Sequence, residues 1–175
     1  SARDTENSIA WNKKTFTFVE GATFPVTYFN GSIRQMPYVL LRQNATGLEA
    51  YFINVHNPAE THRFRNQGKW RAEAIARERA LVIQLRATGK PVFLTGDFND
   101  RGNAFCPLTE GKLMLSADSV PSTTCALPKK AWIDWIYAAG PARFTTYERD
   151  WSLRDLHKAT DHPMVTARTY LAPQS

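Results

Sequence analysis

Alternating apolar and polar positions divide most of this chain into short extended runs, interrupted by one stretch of helical period. Runs at 7–11 and 15–19 flank Asn12-Lys13-Lys14, which has the composition of a hairpin turn, so two short strands are expected there. Residues 20–32 carry glycine and aromatics without either period and read as a loop. At 38–42 and 49–55 the alternation resumes around Asn44-Ala45-Thr46-Gly47, whose turn chemistry predicts an antiparallel hairpin. The second of these strands leads straight into His56-Asn57-Pro58. Between 68 and 90 the period lengthens. Trp70, Ala74, Ile75, Leu81, Val82 and Leu85 fall on one face at about 100° per residue, and Arg86, Gly89 and Lys90 mark the C-terminus of a helix. Glu78 lies within that apolar face, where an ion pair with a neighbouring arginine is the expected way to accommodate it.

The apolar run Pro91-Val92-Phe93-Leu94 then opens onto Thr95-Gly96-Asp97-Phe98-Asn99-Asp100, a buried strand delivering polar side chains at its end. If the extended geometry persists, Asp97 and Asn99 share one face while Phe98 turns into the core. Gly96 lets the backbone bend without a Cβ. A β-turn accounts for the hexapeptide equally well when it is taken alone. Beyond a loop rich in Thr, Ser and Pro come an aromatic strand at 131–137, a strand at 143–147, a polar loop at 151–158 and a last strand at 163–170. The last strand is preceded by Thr160-Asp161-His162. Strands dominate, so the class is mixed α and β with mainly antiparallel pairing. At 175 residues, 43% of them hydrophobic, a single domain over 1–175 is expected.

Charge and cysteine content alter this picture only a little. Lys and Arg outnumber Asp and Glu by 22 to 16, a balance compatible with a polyanionic partner such as nucleic acid, although the basic residues are dispersed and a solvated surface explains most of them. The apolar runs are far too short to cross a membrane, and Ser1-Ala2-Arg3-Asp4 lacks signal-peptide character, as in a mature soluble protein or a fragment of one. Cys106 and Cys125 bracket the Thr-, Ser- and Pro-rich loop. A bridge there would stabilise by about 3 kcal/mol and would place the chain in an oxidising compartment, outside the cell; two buried free thiols are the alternative. Asn44-Ala45-Thr46 matches a glycosylation sequon, but the turn suffices to explain it.

Residues with catalytic chemistry recur along four predicted strands: His56 at the end of one, then Asp97 with Asn99 at the end of the next, then Asp134 inside the aromatic strand, then Asp161 with His162 just before the last. Each alone has a structural explanation. The ordered set Asn54-Val55-His56, Gly96-Asp97-Phe98-Asn99, Ile133-Asp134-Trp135-Ile136 and Thr160-Asp161-His162-Pro163-Met164-Val165 resembles the endonuclease/exonuclease/phosphatase superfamily, of deoxyribonuclease-I-like fold. Thr160 stands where the family has Ser. The resemblance implies a four-layer α/β/β/α sandwich that hydrolyses phosphate esters with Mg²⁺ or Mn²⁺. It implies that His162, held by Asp134, contacts the scissile phosphate as acid, base or electrostatic stabiliser. Asp97 would orient or activate water, Asn99 would bind phosphate or a water on the metal, Asp161 would lie at the metal, and His56 would hydrogen-bond a phosphate oxygen.

The chain also departs from that pattern. The family carries an N-terminal strand with an Asn and, after a helix, a metal-ligating Glu, both upstream of the segment with which this chain nearly begins; Glu6 stands in the wrong context. On this reading the 175 residues cover roughly the last two-thirds of a family domain, and a missing N-terminal segment or a partner chain would complete the sheet. At Gln35-Met36-Pro37, where nuclease members often have a Glu to pair with the strand-end His, Met36 cannot serve. A non-catalytic phosphate- or polyanion-binding protein on the same scaffold, or an inactive fragment, is therefore the alternative to a phosphodiesterase. A zinc hydrolase using His56, His62, His157 and His162 lacks any closely spaced ligand signature.

Overall fold

The computed structural model describes residues 7–118 and 125–171. Six strands form one sheet: β1 (Phe16–Thr27), β2 (Ile33–Gln43), β3 (Glu49–His56), β4 (Val92–Asp97), β5 (Leu115–Ser116) and β6 (Asp134–Ala139), in the spatial order β1-β2-β3-β4-β6-β5. Only β3 and β4 run parallel, because the crossover between them is the helix α1 (Gly68–Arg86). The strands β7 (Ala142–Asp150) and β8 (Met164–Leu171) pair as a second, two-stranded sheet. Two further helices are short: α2 (Gly102–Thr109) and α3 (Ser152–Asp155).

Along β4 the side chains alternate between two cores. Val92 and Leu94 join Ile75, Val82 and Leu85 of α1, while Phe93 faces the second sheet with Ala50, Ala138, Phe144 and Leu171. The phenyl rings of Phe93 and Phe144 meet edge to face at 6.4 Å. Helices α1 and α2 thus cover one face of the large sheet and β7–β8 lies against the other, a layered α/β arrangement of the kind the family resemblance implies.

The differences from the sequence reading have physical causes. Residues 7–11 are not a strand, and β1 instead continues to Thr27 through the segment read as a loop. Gly21 and Pro25 disguise it. The register shifts between Phe18 and Glu20, and a proline is tolerated in a strand that, among the described residues, lies at the edge of the sheet. The Cys-bracketed segment begins inside α2, whose first N–H groups are capped by Asp100: Oδ1 accepts from Asn103 N at 2.8 Å and from Ala104 N at 3.3 Å. The expected disulfide is absent, since Cys106 and Cys125 are free thiols, with the Cys106 sulfur 3.7 Å from the Cys125 carbonyl oxygen. The argument for an oxidising compartment loses its support with that bridge. Within 151–158, read as a loop, lies the single turn of α3.

Glu78 is the most informative correction. It is fully buried and, among the described residues, no arginine pairs with it: Arg77 goes to Glu73 at 2.8 Å and Arg79 to the Pro107 carbonyl at 3.1 Å. Helix geometry explains this. Only residues three and four positions away share a helical face, and around Glu78 these are Ala74, Ile75, Leu81 and Val82.

Candidate active site

Strand register builds the site. His56 lies opposite Asp97 across the β3–β4 pair, and Asp97 lies opposite Asp134 across β4–β6. The three residues form a row across adjacent strands spaced about 4.8 Å apart. By alternation they share the face of Phe93 and Ala138, so they open between the two sheets. His162 joins them from the loop leading into β8. This cleft holds a cavity of about 290 Å³ lined by His56, Asp97 and His162. A second, of about 340 Å³, is shared by Asp97, Asp134 and Val165.

Asp134 grips one side of the His162 ring: Nδ1 lies 2.8 Å from Oδ2 and 3.0 Å from Oδ1. A carboxylate there keeps the proton on Nδ1 and turns Nε2 to the cleft. Nε2 then lies 3.9 Å from Asp97 Oδ2 and 3.9 Å from Asp161 Oδ1. On the other side of Asp97, His56 Nε2 is 3.7 Å from the same Oδ2. One carboxylate oxygen therefore stands between two imidazoles.

The electrostatics follow from burial and crowding. Burial works against the charged His162 ring, but the Asp134 hydrogen bond and the charges of Asp134, Asp97 and Asp161 win, and its pKa rises above the ordinary imidazole value. Burial raises the pKa of Asp97 and of Asp134, opposed in Asp97 by the Asn99 N–H and both imidazoles and in Asp134 by His162. Asp161 adds negative charge from the rim, its side chain 96% exposed.

Asn99 is placed differently from the extended geometry. The strand ends at Asp97, and Asn99 adopts a left-handed φ of 49°, a conformation asparagine tolerates. Its backbone N–H donates to Asp97 Oδ1 at 2.7 Å, and its side-chain Nδ2 donates to Asp97 Oδ2 at 3.1 Å and to the Asn57 carbonyl at 2.8 Å. One amide hydrogen thus braces Asp97 and the other ties Asn99 to the Asn57 carbonyl. Phe98 points into the core, fully buried, as the pattern requires. Gly96, at φ 145°, lies so close to β3 that a Cβ would collide with the Val55 carbonyl.

Asp97, Asp134 and His162 bring ligand-type atoms within 4.8 Å of one another. With Asp134 turned to His162, the oxygens free to face a cation are Asp97 Oδ2 and the Asp161 carboxylate. Two carboxylates supplemented by water and a phosphate suit a hard divalent cation such as Mg²⁺, and a cation there would favour the ionised form of Asp97 that burial disfavours. The donor set fits. Met36 is fully buried and offers His56 nothing; His56 instead meets Asp97 and the edge of the Tyr28 ring, centroids 5.9 Å apart. Two residues passed over in the sequence emerge here, Asn57 behind Asn99 and Asp100 at the start of α2, both adjacent in sequence to residues that the motifs single out.

Neither a protein-family model nor a curated protein matches the sequence. Solved structures do match the fold. The human Nocturnin catalytic domain with bound sulfate superposes with a TM-score of 0.68 at 14% identity, covering 91% of this chain and 61% of that domain. Mannosyl-6-phosphatase from Bacteroides thetaiotaomicron gives 0.67 at 17% identity, over 92% and 69%, and D. rerio TDP2 complexed with a single-strand DNA product gives 0.62 at 13%, over 90% and 70%. An endonuclease/exonuclease/phosphatase from Bacteroides vulgatus is similar at 0.67. The chain therefore has the deoxyribonuclease-I-like fold on which the motif resemblance rests, and it spans about three-fifths of the Nocturnin domain.

Proposed function

We propose that this chain hydrolyses phosphate esters in the cleft between its two sheets, assisted by a divalent cation, Mg²⁺ or Mn²⁺. The observation that carries the proposal is the contact chain Asp134–His162–Asp97, with His162 Nε2 turned to the cavity and Asp97 Oδ2 facing it. The fold likeness to a mannosyl-6-phosphatase and to TDP2 supports the same chemistry.

Asp97 Oδ2, braced by Asn99, accepts a proton from the attacking water. His162, charged more readily because Asp134 holds its far nitrogen, stabilises the phosphoryl oxygens or protonates the departing one. His56 contributes a second hydrogen bond to a phosphate oxygen from the opposite side of Asp97. Asp161, with water and the phosphate, would hold the cation, which when bound neutralises charge on the transferring group and positions the attack. The substrate is a phosphoester; the excess of basic residues, +6 overall, favours a polyanion such as nucleic acid.

The test is Mg²⁺- or Mn²⁺-dependent release of nitrophenol from bis(p-nitrophenyl) phosphate, with His162→Ala alongside. Loss of about 10²- to 10⁴-fold in the variant is expected. Phosphate binding without turnover in the parent would instead favour a binding module on this scaffold.

A further inference from the structure

The proposed mechanism leaves Glu78 unused, although it is a carboxyl group buried beneath the site. It sits on the inner face of α1, fully buried. The Asn57 side-chain amide is its polar neighbour, and neither the carboxyl oxygens of Glu78 nor the amide atoms of Asn57 have a hydrogen-bond partner among the described residues. The buried Tyr137 hydroxyl, also unsatisfied, lies within electrostatic reach. Polar side chains from α1, from the end of β3 and from β6 thus converge where the rest of the core is apolar.

Asn57 connects this cluster to the site. It is itself fully buried and follows His56 directly. Its backbone N–H donates to the Asp97 carbonyl at 2.9 Å, and its own carbonyl accepts from Asn99 Nδ2 at 2.8 Å. The main chain of Asn57 is therefore bonded to Asp97 and to the residue that braces it, while its side chain faces Glu78.

We propose that Glu78 is a positioning residue, held as the neutral acid, whose hydrogen bonds with the Asn57 side chain fix the His56–Asn57 corner and through it Asn99 and Asp97. A carboxylic acid and a primary amide are complementary: the acid O–H donates to Asn57 Oδ1 while Asn57 Nδ2 donates to the acid carbonyl. The ionised form could only accept. Burial pushes the Glu78 pKa up to about 8, which agrees with the neutral form at neutral pH. The inference rests on the functional reading above in so far as Asp97 and Asn99 belong to the working site.

Two variants separate positioning from simple packing. Glu78→Gln keeps a donor and an acceptor in the same shape; Glu78→Leu keeps the bulk and removes both. Hydrogen exchange at the Asn57 N–H and the NMR signals of the Asn99 side-chain amide read the corner directly, without any need for turnover. Glu78→Leu is expected to speed Asn57 exchange about tenfold and to collapse the Asn99 signals, with Glu78→Gln close to the parent. In the hydrolysis assay Glu78→Leu should lower kcat about tenfold with KM little changed, and Glu78→Gln should restore it. Asn57→Ala, which removes the partner instead, should reproduce the loss of order at Asn99 if Glu78→Leu does not fold. Unaltered exchange and Asn99 signals in the folded Glu78→Leu or Asn57→Ala variant, or Gln as damaging as Leu, would overturn the inference. A parent without turnover would defeat the functional reading and leave the exchange result to decide this one.

Discussion

The buried carboxyl of Glu78 makes a quantitative demand on stability. Its folded-state pKa is raised, by burial, from the usual 4.5 to about 8, so between those values the folded chain holds a proton that the unfolded chain has released. Folding stability is then fully present below pH 4.5 and falls as pH rises toward 8. At 1.36 kcal/mol per unit, the interval from pH 5 to pH 7.5 costs about 3 kcal/mol and the whole span about 5 kcal/mol. That is a large part of the roughly 5–15 kcal/mol by which domains are stable. Glu78→Gln abolishes this titration while leaving the other groups in place. Urea unfolding of parent and variant at several pH values between 5 and 7.5 isolates the effect, because contributions from Asp97, Asp134 and His162 cancel in the difference. Tyr137, the other titratable group named in the cluster, is itself pushed well above its usual value by burial and does not ionise in this window. The variant should gain about 3 kcal/mol on the parent between the two ends of the range. Parallel stability curves would refute the reasoning, since they would mean that Glu78 is hydrated or paired in both states.

Two shorter predictions test the site itself. Asp134→Asn removes the leading charge among those that together outweigh burial at His162, so the His162 pKa should fall, seen as an acid shift of its ring-proton titration by NMR; an unchanged midpoint would show that Asp134 is not its partner. Gly96→Ala should destabilise by about 2 kcal/mol or more, measured by thermal unfolding, because the added methyl meets the Val55 backbone at a φ that side chains resist; near-parent stability would mean that β3 and β4 are not packed this closely.

What was legible in the sequence is what strand alternation and motif spacing encode. His56 and Asp97 each sit at a strand terminus because an apolar run stops there, and the helical stretch between them makes β3 and β4 parallel neighbours; Asp134, expected inside an aromatic strand at 131–137, instead opens β6. Their meeting in one row follows from those facts together with register, which no single segment carries. β1 was obscured by Gly21 and Pro25, breakers in an interior strand but acceptable in one that, among the described residues, lies at the edge of the sheet. α2 was hidden because Gly102, Asn103 and Pro107 argue against a helix, while the residue that caps it, Asp100, looked like part of the preceding polar turn. The disulfide was inferred from an even count and a loop-like composition; neither constrains where two thiols lie in space.

Glu78 shows where one-dimensional reading stops. The nearby arginines made an ion pair the natural expectation, yet the positions that share its helical face are Ala74, Ile75, Leu81 and Val82, so any partner had to come from another element. A residue whose own helix cannot satisfy it is one whose role is fixed by tertiary structure, and here the neighbour proposed as its partner is the Asn57 amide instead of a cation. The same holds for Asn99: a place beside Asp97 on an extended strand would have turned its amide to the substrate, but the left-handed turn spends both hydrogens on Asp97 and Asn57. A site in which the visible motif residues brace one another, and an unremarked asparagine joins them to a buried acid, has its geometry set from beneath. Its activity should therefore respond to substitutions on α1 that touch no substrate.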